Sequence, residues 1–199
     1  DSISRALAGS AFAAAFTHLP ASYRGDTRVR GRIHLASTMA GMAFSQSGLG
    51  MCHALSHSLG GVLHLPHGRL NAILLPAVME VQATIVPGRY TQLAKQLGFG
   101  SGGDSIALRH LKNSLIRLRK QLELPEDLQQ AGIDPKQLAE KTETLVTAAL
   151  ADPCCATNPL PVTGETVRHH DIRHAGGHVT RLHVTNEVEA TLLQQGEGR

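Results

Sequence analysis

The sequence has few aromatic residues, few cysteines and no long apolar run. Only six of its 199 residues are aromatic, and none of them is tryptophan. The three cysteines, two of them adjacent, form no disulfide framework and favour a reducing compartment, the cytoplasm. The longest apolar stretches are interrupted by proline and are much shorter than the roughly 20 residues of a membrane span. No membrane partner is expected.

Charge is also scarce. The formal net charge of +3 is small and dispersed, which excludes the basic footprint of a nucleic-acid-binding protein. The apolar fraction of 42% is enough for a packed core and excludes a disordered chain. The unusual number is twelve histidines. Their positions therefore decide what the sequence says about function.

Helical periodicity dominates the sequence up to Thr163. No stretch of this part shows sustained alternation of apolar and polar residues, so residues 1–163 are predicted to form an all-α helical bundle. Pro20 is expected to end the first helix, and Asp134-Pro135 to begin the last one. The helical period is lost after Gly164. Residues 164–199 are treated as a separate tail whose order the sequence does not define.

The chain begins at Asp1, without an initiator methionine, and enters an amphipathic helical segment at once. We therefore expect it to be the C-terminal half of a longer protein.

One histidine cluster has the spacing of a metal site. His53 and His57 are four residues apart, so their imidazoles share one face of a helix. The glycine pair Gly60-Gly61 is expected to end that helix, and an extended segment, residues 62–66, to lead the chain back. This reversal would place His67 beside His53. Neutral imidazoles from rigid elements suit Zn²⁺ or Fe²⁺.

The same spacing has a simpler explanation. A histidine pair at this distance arises often by chance in a chain with twelve histidines, and most such pairs are ordinary surface or core residues. His64 is expected to be such a residue. Ala54 and Leu55 stand where a zinc protease would have glutamate and its neighbour, so the chain lacks the base of a metallohydrolase. Any carboxylate ligand must come from elsewhere.

Several motifs together resemble a known family, the iron-containing (group III) metal-dependent alcohol dehydrogenases, in their C-terminal helical domain. The form of the histidine segment is most similar to the alcohol dehydrogenases of ethanolamine and propanediol utilisation. The motifs are AGMAF at residues 40–44, GLG at 48–50, HALSHSLGG at 53–61, PHGRLNAILLP at 66–76, Ala151-Asp152-Pro153 and Thr157-Asn158-Pro159.

The resemblance implies a role for each matching residue. His53 and His67 would be metal ligands, and His57 would lie near the metal and the nicotinamide as a pocket or proton-handling residue. Phe44 and Leu49 would line the pocket for substrate and nicotinamide. The remaining ligands, an Asp and a His on one helix, and the Rossmann-like nucleotide-binding domain would belong to a segment that precedes this chain.

The function implied is part of an NAD-dependent dehydrogenase that interconverts a short-chain primary alcohol and its aldehyde. The metal, Fe²⁺ or Zn²⁺, would act as a Lewis acid, and the choice between NAD and NADP stays open. Exposed helix faces favour a homo-oligomer, and the subgroup adds a bacterial microcompartment as an alternative location. This chain alone is expected to be inactive. The alternative is a helical domain that serves as a non-catalytic binding or scaffold module.

Overall fold

A computed structural model describes residues 1–100, 102–164 and 167, and these residues contain helices and no strand. The predicted all-α fold is thus confirmed for this part of the chain, while the tail beyond Gly164, apart from Val167, lies outside the described residues. No helix among them is long and apolar enough to cross a membrane. The helices are α1 Ser2–Tyr23, α2 Arg30–Ser47, α3 Met51–Leu63, α4 His67–Ala83, α5 Pro87–Gln96, α6 Asp104–Gln121 and α7 Pro135–Ala151, with short 3₁₀ turns at Thr27–Val29 and Pro153–Thr157.

The main core lies between α3, α4 and α7. Leu55 and Leu59 of α3 pack against Leu70 and Leu74 of α4 and Leu145 of α7, and all five side chains are fully buried. Each buried leucine contributes about 2 kcal/mol of hydrophobic stabilisation. A smaller cluster joins the far end of α4 to α5 and α6. Because both clusters include α4, this helix is fixed along its whole length, and α3 lies firmly beside it.

The first helix continues past the residue expected to end it. Pro20 lies inside α1, which ends at Tyr23, so the sequence prediction was wrong at this point. Proline removes one backbone hydrogen bond from a helix interior. That loss is local, whereas α1 packs along α2 over much of its length. Tertiary packing therefore outweighs the local signal.

The glycine pair does not end α3 either. Gly60-Gly61 lies within the helix, which continues to Leu63, so residues 62 and 63 are helical instead of extended. Glycine costs about 1 kcal/mol in a helix interior, less than the buried leucines of α3 contribute. The chain reverses one turn later, at His64, which is exposed and adopts the left-handed conformation with φ of 57°. At Gly60, an added Cβ would lie 3.3 Å from the carbonyl oxygen of Leu65.

Two Asp-Pro pairs begin helical segments in the same way. The predicted start of α7 is confirmed: it begins at Pro135, and Asp134 Oδ1 accepts a hydrogen bond of 2.9 Å from the backbone N–H of Lys136. Asp152 Oδ1 accepts from the backbone N–H of Cys154 at 2.8 Å and caps the 3₁₀ turn that follows α7. The two aspartates are thus equivalent as caps, and only their surroundings differ.

Candidate metal centre

Three imidazoles converge where α3 and α4 meet. The ring centroids of His53 and His67 are 5.2 Å apart, those of His57 and His67 are 4.8 Å apart, and those of His53 and His57 are 6.1 Å apart. His53 and His57 are one turn apart on α3, and His67 is the first residue of α4. Since zinc–nitrogen bonds are about 2.0–2.1 Å long, the tilted rings of His53 and His67 fit a shared divalent cation. The donor set suits Fe²⁺ or Zn²⁺.

Asn71 fixes the orientation of His67. Its Nδ2 donates a hydrogen bond of 2.8 Å to His67 Nε2, while its Oδ1 accepts a hydrogen bond of 2.8 Å from the buried hydroxyl of Ser56. An amide nitrogen only donates, so His67 Nε2 is the unprotonated nitrogen of this ring, and a cation bound there would take the place of the Asn71 N–H. The first turn of α4 thus carries both the histidine and the residue that aligns it.

Asp152 orients His57 by accepting a hydrogen bond from its ring. The carboxylate Oδ2 lies 2.8 Å from His57 Nδ1, so Nδ1 carries the proton that is donated to it. Partial burial opposes ionisation of Asp152, but the hydrogen bonds from Cys154 and His57 outweigh this effect and hold the pKa of the carboxyl below its ordinary value. Asp152 is therefore an anion that accepts from two directions.

His53 is kept neutral by its surroundings. Burial, together with the neighbouring His67 and His57, lowers the pKa of His53, and the more distant charge of Asp152 only partly offsets this. A neutral imidazole is the form that binds a metal ion. The electrostatics of the cluster therefore agree with its geometry.

A second set of donor atoms lies next to this cluster. Atoms of His57, Asp152 and Cys154 all lie within 4.8 Å of one another. Burial and the nearby Asp152 raise the pKa of the Cys154 thiol above its ordinary value. Both carboxylate oxygens of Asp152 already accept hydrogen bonds, one from His57 and one from the backbone of Cys154. We therefore interpret these residues as a group that orients His57.

A cavity of about 520 Å³ opens beside His53, between the α2–α3 turn and α4. Leu49 lies in its wall with Met51, Leu75 and Val78, so this predicted pocket residue does face a pocket. Phe44 does not line this cavity; it lies near the end of α2, and 45% of its surface is exposed. The roles of both residues toward a cofactor stay predictions.

Asn158 links the start of α3 to the far end of the cavity. Its Oδ1 accepts from the backbone N–H of Met51 at 3.0 Å and from Gln82 Nε2 at 2.6 Å, while Tyr90 donates to the amide oxygen of Gln82. The N-cap of α3 is Gly50, which has no side chain to cap the helix. Asn158 supplies that contact from a distant part of the chain.

Sequence reasoning missed three residues of this arrangement: Asp152, Asn71 and Asn158. All three lie within motifs that carry the family resemblance, which is the signal that could have found them. Taken alone, however, Asp152 and Asn158 are typical of helix ends and turns. Their contacts with α3 span 95 and 107 positions of sequence, and no local pattern reports such contacts.

Comparison with known proteins places this chain in a family. The sequence model of the Fe-containing alcohol dehydrogenase family, C-terminal part, matches residues 2–170. The chain is 40% identical over 169 residues to a 1-propanol dehydrogenase, PduQ, of Salmonella typhimurium, covering 82% of this chain and 46% of that protein. It is 35% identical over 151 residues to an NADPH-dependent butanol dehydrogenase of Clostridium saccharobutylicum, covering 76% and 39%.

A solved structure of the same family has a similar fold. The iron-containing alcohol dehydrogenase of Thermococcus thioreducens superposes with a TM-score of 0.79 at 32% sequence identity, covering 89% of this chain and 45% of that one. The chain belongs to the Fe-containing alcohol dehydrogenase family and corresponds to its all-α C-terminal domain. It spans less than half the length of each of these relatives.

Proposed function

We propose that this chain is the metal-binding part of an NAD-dependent alcohol dehydrogenase that interconverts a short-chain primary alcohol and its aldehyde. His53 and His67 would hold Fe²⁺ or Zn²⁺, and the nucleotide-binding domain of the whole protein would supply the other ligands. The observation that supports this most is the convergence of the two imidazoles, with ring centroids 5.2 Å apart, at the junction of α3 and α4. We place the whole protein in the cytoplasm as a homo-oligomer, with a microcompartment as the alternative location.

In this proposal, metal binding and proton transfer are assigned to different residues of the chain. When bound, a divalent cation supplies Lewis-acid chemistry, which eases ionisation of an alcohol and polarises an aldehyde carbonyl. In oxidation of the alcohol, the unprotonated Nε2 of His57 would receive the proton of the hydroxyl group, and NAD⁺ would supply the hydride acceptor when bound. In reduction of the aldehyde, His57 would return the proton.

The cavity beside His53 would receive the reacting ends of substrate and cofactor. We place Leu49 in contact with the nicotinamide and substrate, since it lies in the cavity wall, and Phe44 at the outer edge, where its exposed ring would be covered by the cofactor. A relative is named as NADPH-dependent, so NADP is the alternative cofactor. Residues that choose between the two would lie in the nucleotide-binding domain.

Metal retention tests the proposal. His53→Ala and His67→Ala should each lower the affinity for Fe²⁺ or Zn²⁺ by at least about 10-fold, the scale on which even supporting residues of metal sites act. The matched control is His34→Ala, an exposed histidine on α2 away from the cluster. Affinity is measured by titration in the presence of a competing chelator.

A non-catalytic scaffold module gives a different result. Metal affinity would then be the same in the wild type, His53→Ala, His67→Ala and His34→Ala, and this outcome would overturn the proposal. Circular dichroism on each variant shows whether the helical fold is intact.

A further inference from the structure

The contact between Asp152 and His57 joins two distant parts of the chain. His57 lies on α3, and Asp152 begins the 3₁₀ turn after α7; Nδ1 and Oδ2 are 2.8 Å apart. The Asp152 side chain is 14% exposed and that of His57 is 42% exposed. A surface ion pair contributes little to stability. This pair has one shielded partner, Asp152, and one partly exposed partner that contacts His67, an arrangement suited to orienting a side chain.

The carboxylate of Asp152 is held in place by contacts other than the one with His57. Oδ1 accepts a hydrogen bond of 2.8 Å from the backbone N–H of Cys154, and Pro153 restrains the backbone between the two residues. The other oxygen, Oδ2, is the one that contacts His57. Since an ionised carboxylate is an acceptor and has no proton to give, Oδ2 requires the N–H of the imidazole to be at Nδ1.

The ring of His57 has a second restraint. It stacks on the ring of His67 with centroids 4.8 Å apart and an angle of 21° between the planes. Stacking fixes the plane of the ring, and the hydrogen bond to Asp152 fixes which edge points away from the carboxylate. Together they leave Nε2 unprotonated and directed away from Asp152.

We infer that Asp152 is a positioning residue that holds His57 in the tautomer with a free Nε2 for proton transfer. The inference rests on the proposed function, because it assigns that proton transfer to His57. Asp152 touches neither substrate nor cofactor in this scheme and acts only through His57. Asp152 also caps the 3₁₀ turn. An experiment must therefore separate this capping role from the orientation of His57.

Two substitutions separate the tasks. Asp152→Ser keeps a good capping side chain but withdraws the acceptor from His57. In Asp152→Asn, the amide oxygen takes the cap, and the amide NH₂ faces His57 Nδ1 as a donor, which drives the proton to Nε2. Asp134→Ser and Asp134→Asn are matched controls, because Asp134 also precedes a proline and caps the residue two positions on.

Kinetics of the metal-loaded full-length enzyme give the first measurement. Asp152→Ser and Asp152→Asn should each lower kcat by about 10- to 100-fold with KM for the alcohol and metal content nearly unchanged, while both Asp134 variants stay within about twofold of wild type. If kcat in both Asp152 variants stays within twofold of that in the Asp134 variants, the inference is wrong.

The tautomer is measured independently of activity. Nitrogen-15 NMR of histidine ring nitrogens in the metal-free 199-residue chain, with His57 assigned by comparison with His57→Ala, should show the proton at Nδ1 in wild type and at Nε2 in Asp152→Asn. An unchanged tautomer in Asp152→Asn overturns the inference even if activity falls. If the wild-type enzyme has no alcohol-dependent turnover but the tautomer does switch, the proposed function fails while the Asp152 contact stands.

Discussion

A different part of the structure sets the orientation or the protonation of each clustered histidine, His53, His57 and His67. His57 is aligned by Asp152, His67 by Asn71, and His53 is kept neutral by burial and by the other two rings. In metal sites, loss of a group that orients a ligand typically costs about 10- to 100-fold in metal affinity or activity. At the residue scale, therefore, the site comprises more than the three histidines that the spacing identifies.

The lowered pKa of His53 predicts an effect of pH on stability. The unfolded chain takes up a proton as the pH falls through the ordinary value of 6.5, whereas folded His53 does so only at lower pH. The unfolded state then binds more protons, so the free energy of unfolding decreases as the pH falls from 6.5 toward the folded pKa. The Asp152 carboxyl acts in a separate window, below its ordinary pKa of 3.8.

Urea unfolding of the metal-free chain, followed by circular dichroism between about pH 7.5 and 5, measures this effect. The substitution His53→Gln removes the titrating group and should make the pH dependence shallower. Equal slopes in wild type and His53→Gln would contradict the prediction.

At the scale of elements, the turn between α2 and α3 is held by the segment that follows α7. Gly48 has φ of 73°, and a Cβ at this position would lie 2.3 Å from Thr157 Oγ1. Asn158, the next residue, accepts from the backbone of Met51 at the start of α3. The turn and the first residues of α3 are thus packed against a segment more than 100 positions away.

Gly48→Ala should destabilise the fold by about 2–4 kcal/mol, because it combines a left-handed backbone with overlap against Thr157. The matched control is Gly41→Ala, inside α2, where an added Cβ meets nothing within 4 Å. That change should stabilise the helix by about 0.5–1 kcal/mol. The measurement is the free energy of unfolding in urea. A loss below 1 kcal/mol at Gly48 would show that Thr157 moves aside easily.

Local signals predicted some elements well and others badly. Asp134-Pro135 starts α7 as expected, because a cap and a proline at the first helical position act within one turn. Pro20 and Gly60-Gly61 were expected to end helices and do not. Their local cost is about 1–3 kcal/mol, and the packing of α1 on α2 and of α3 in the main core is worth more.

At the scale of the molecule, the relatives are more than twice the length of the matched part of this chain. Two of the three clustered histidines, His57 and His67, are exposed, so the cluster has an open side. We propose that the nucleotide-binding domain of the whole protein covers that side and completes the ligand set. The helical domain then supplies part of a site whose chemistry needs both halves.

The purified chain should therefore show no NAD-dependent oxidation of 1-propanol after loading with Fe²⁺ or Zn²⁺. Joined to the N-terminal half of a relative such as the Salmonella 1-propanol dehydrogenase, the same chain should become active, and His53→Ala in the joined protein should abolish that activity. Absorbance of NADH at its nicotinamide band measures turnover. Turnover by the chain alone would contradict the assignment of ligands to another domain.

The sequence by itself determined the all-α class and the pairing of His53 with His57, since both follow from helical periodicity. It also indicated that His67 returns to the pair, although by a turn at the wrong place. Only the tertiary structure decided what surrounds the histidines. Asp152 and Asn158 reach α3 across 95 and 107 positions, and such contacts depend on how helices pack, which no local pattern of residues encodes.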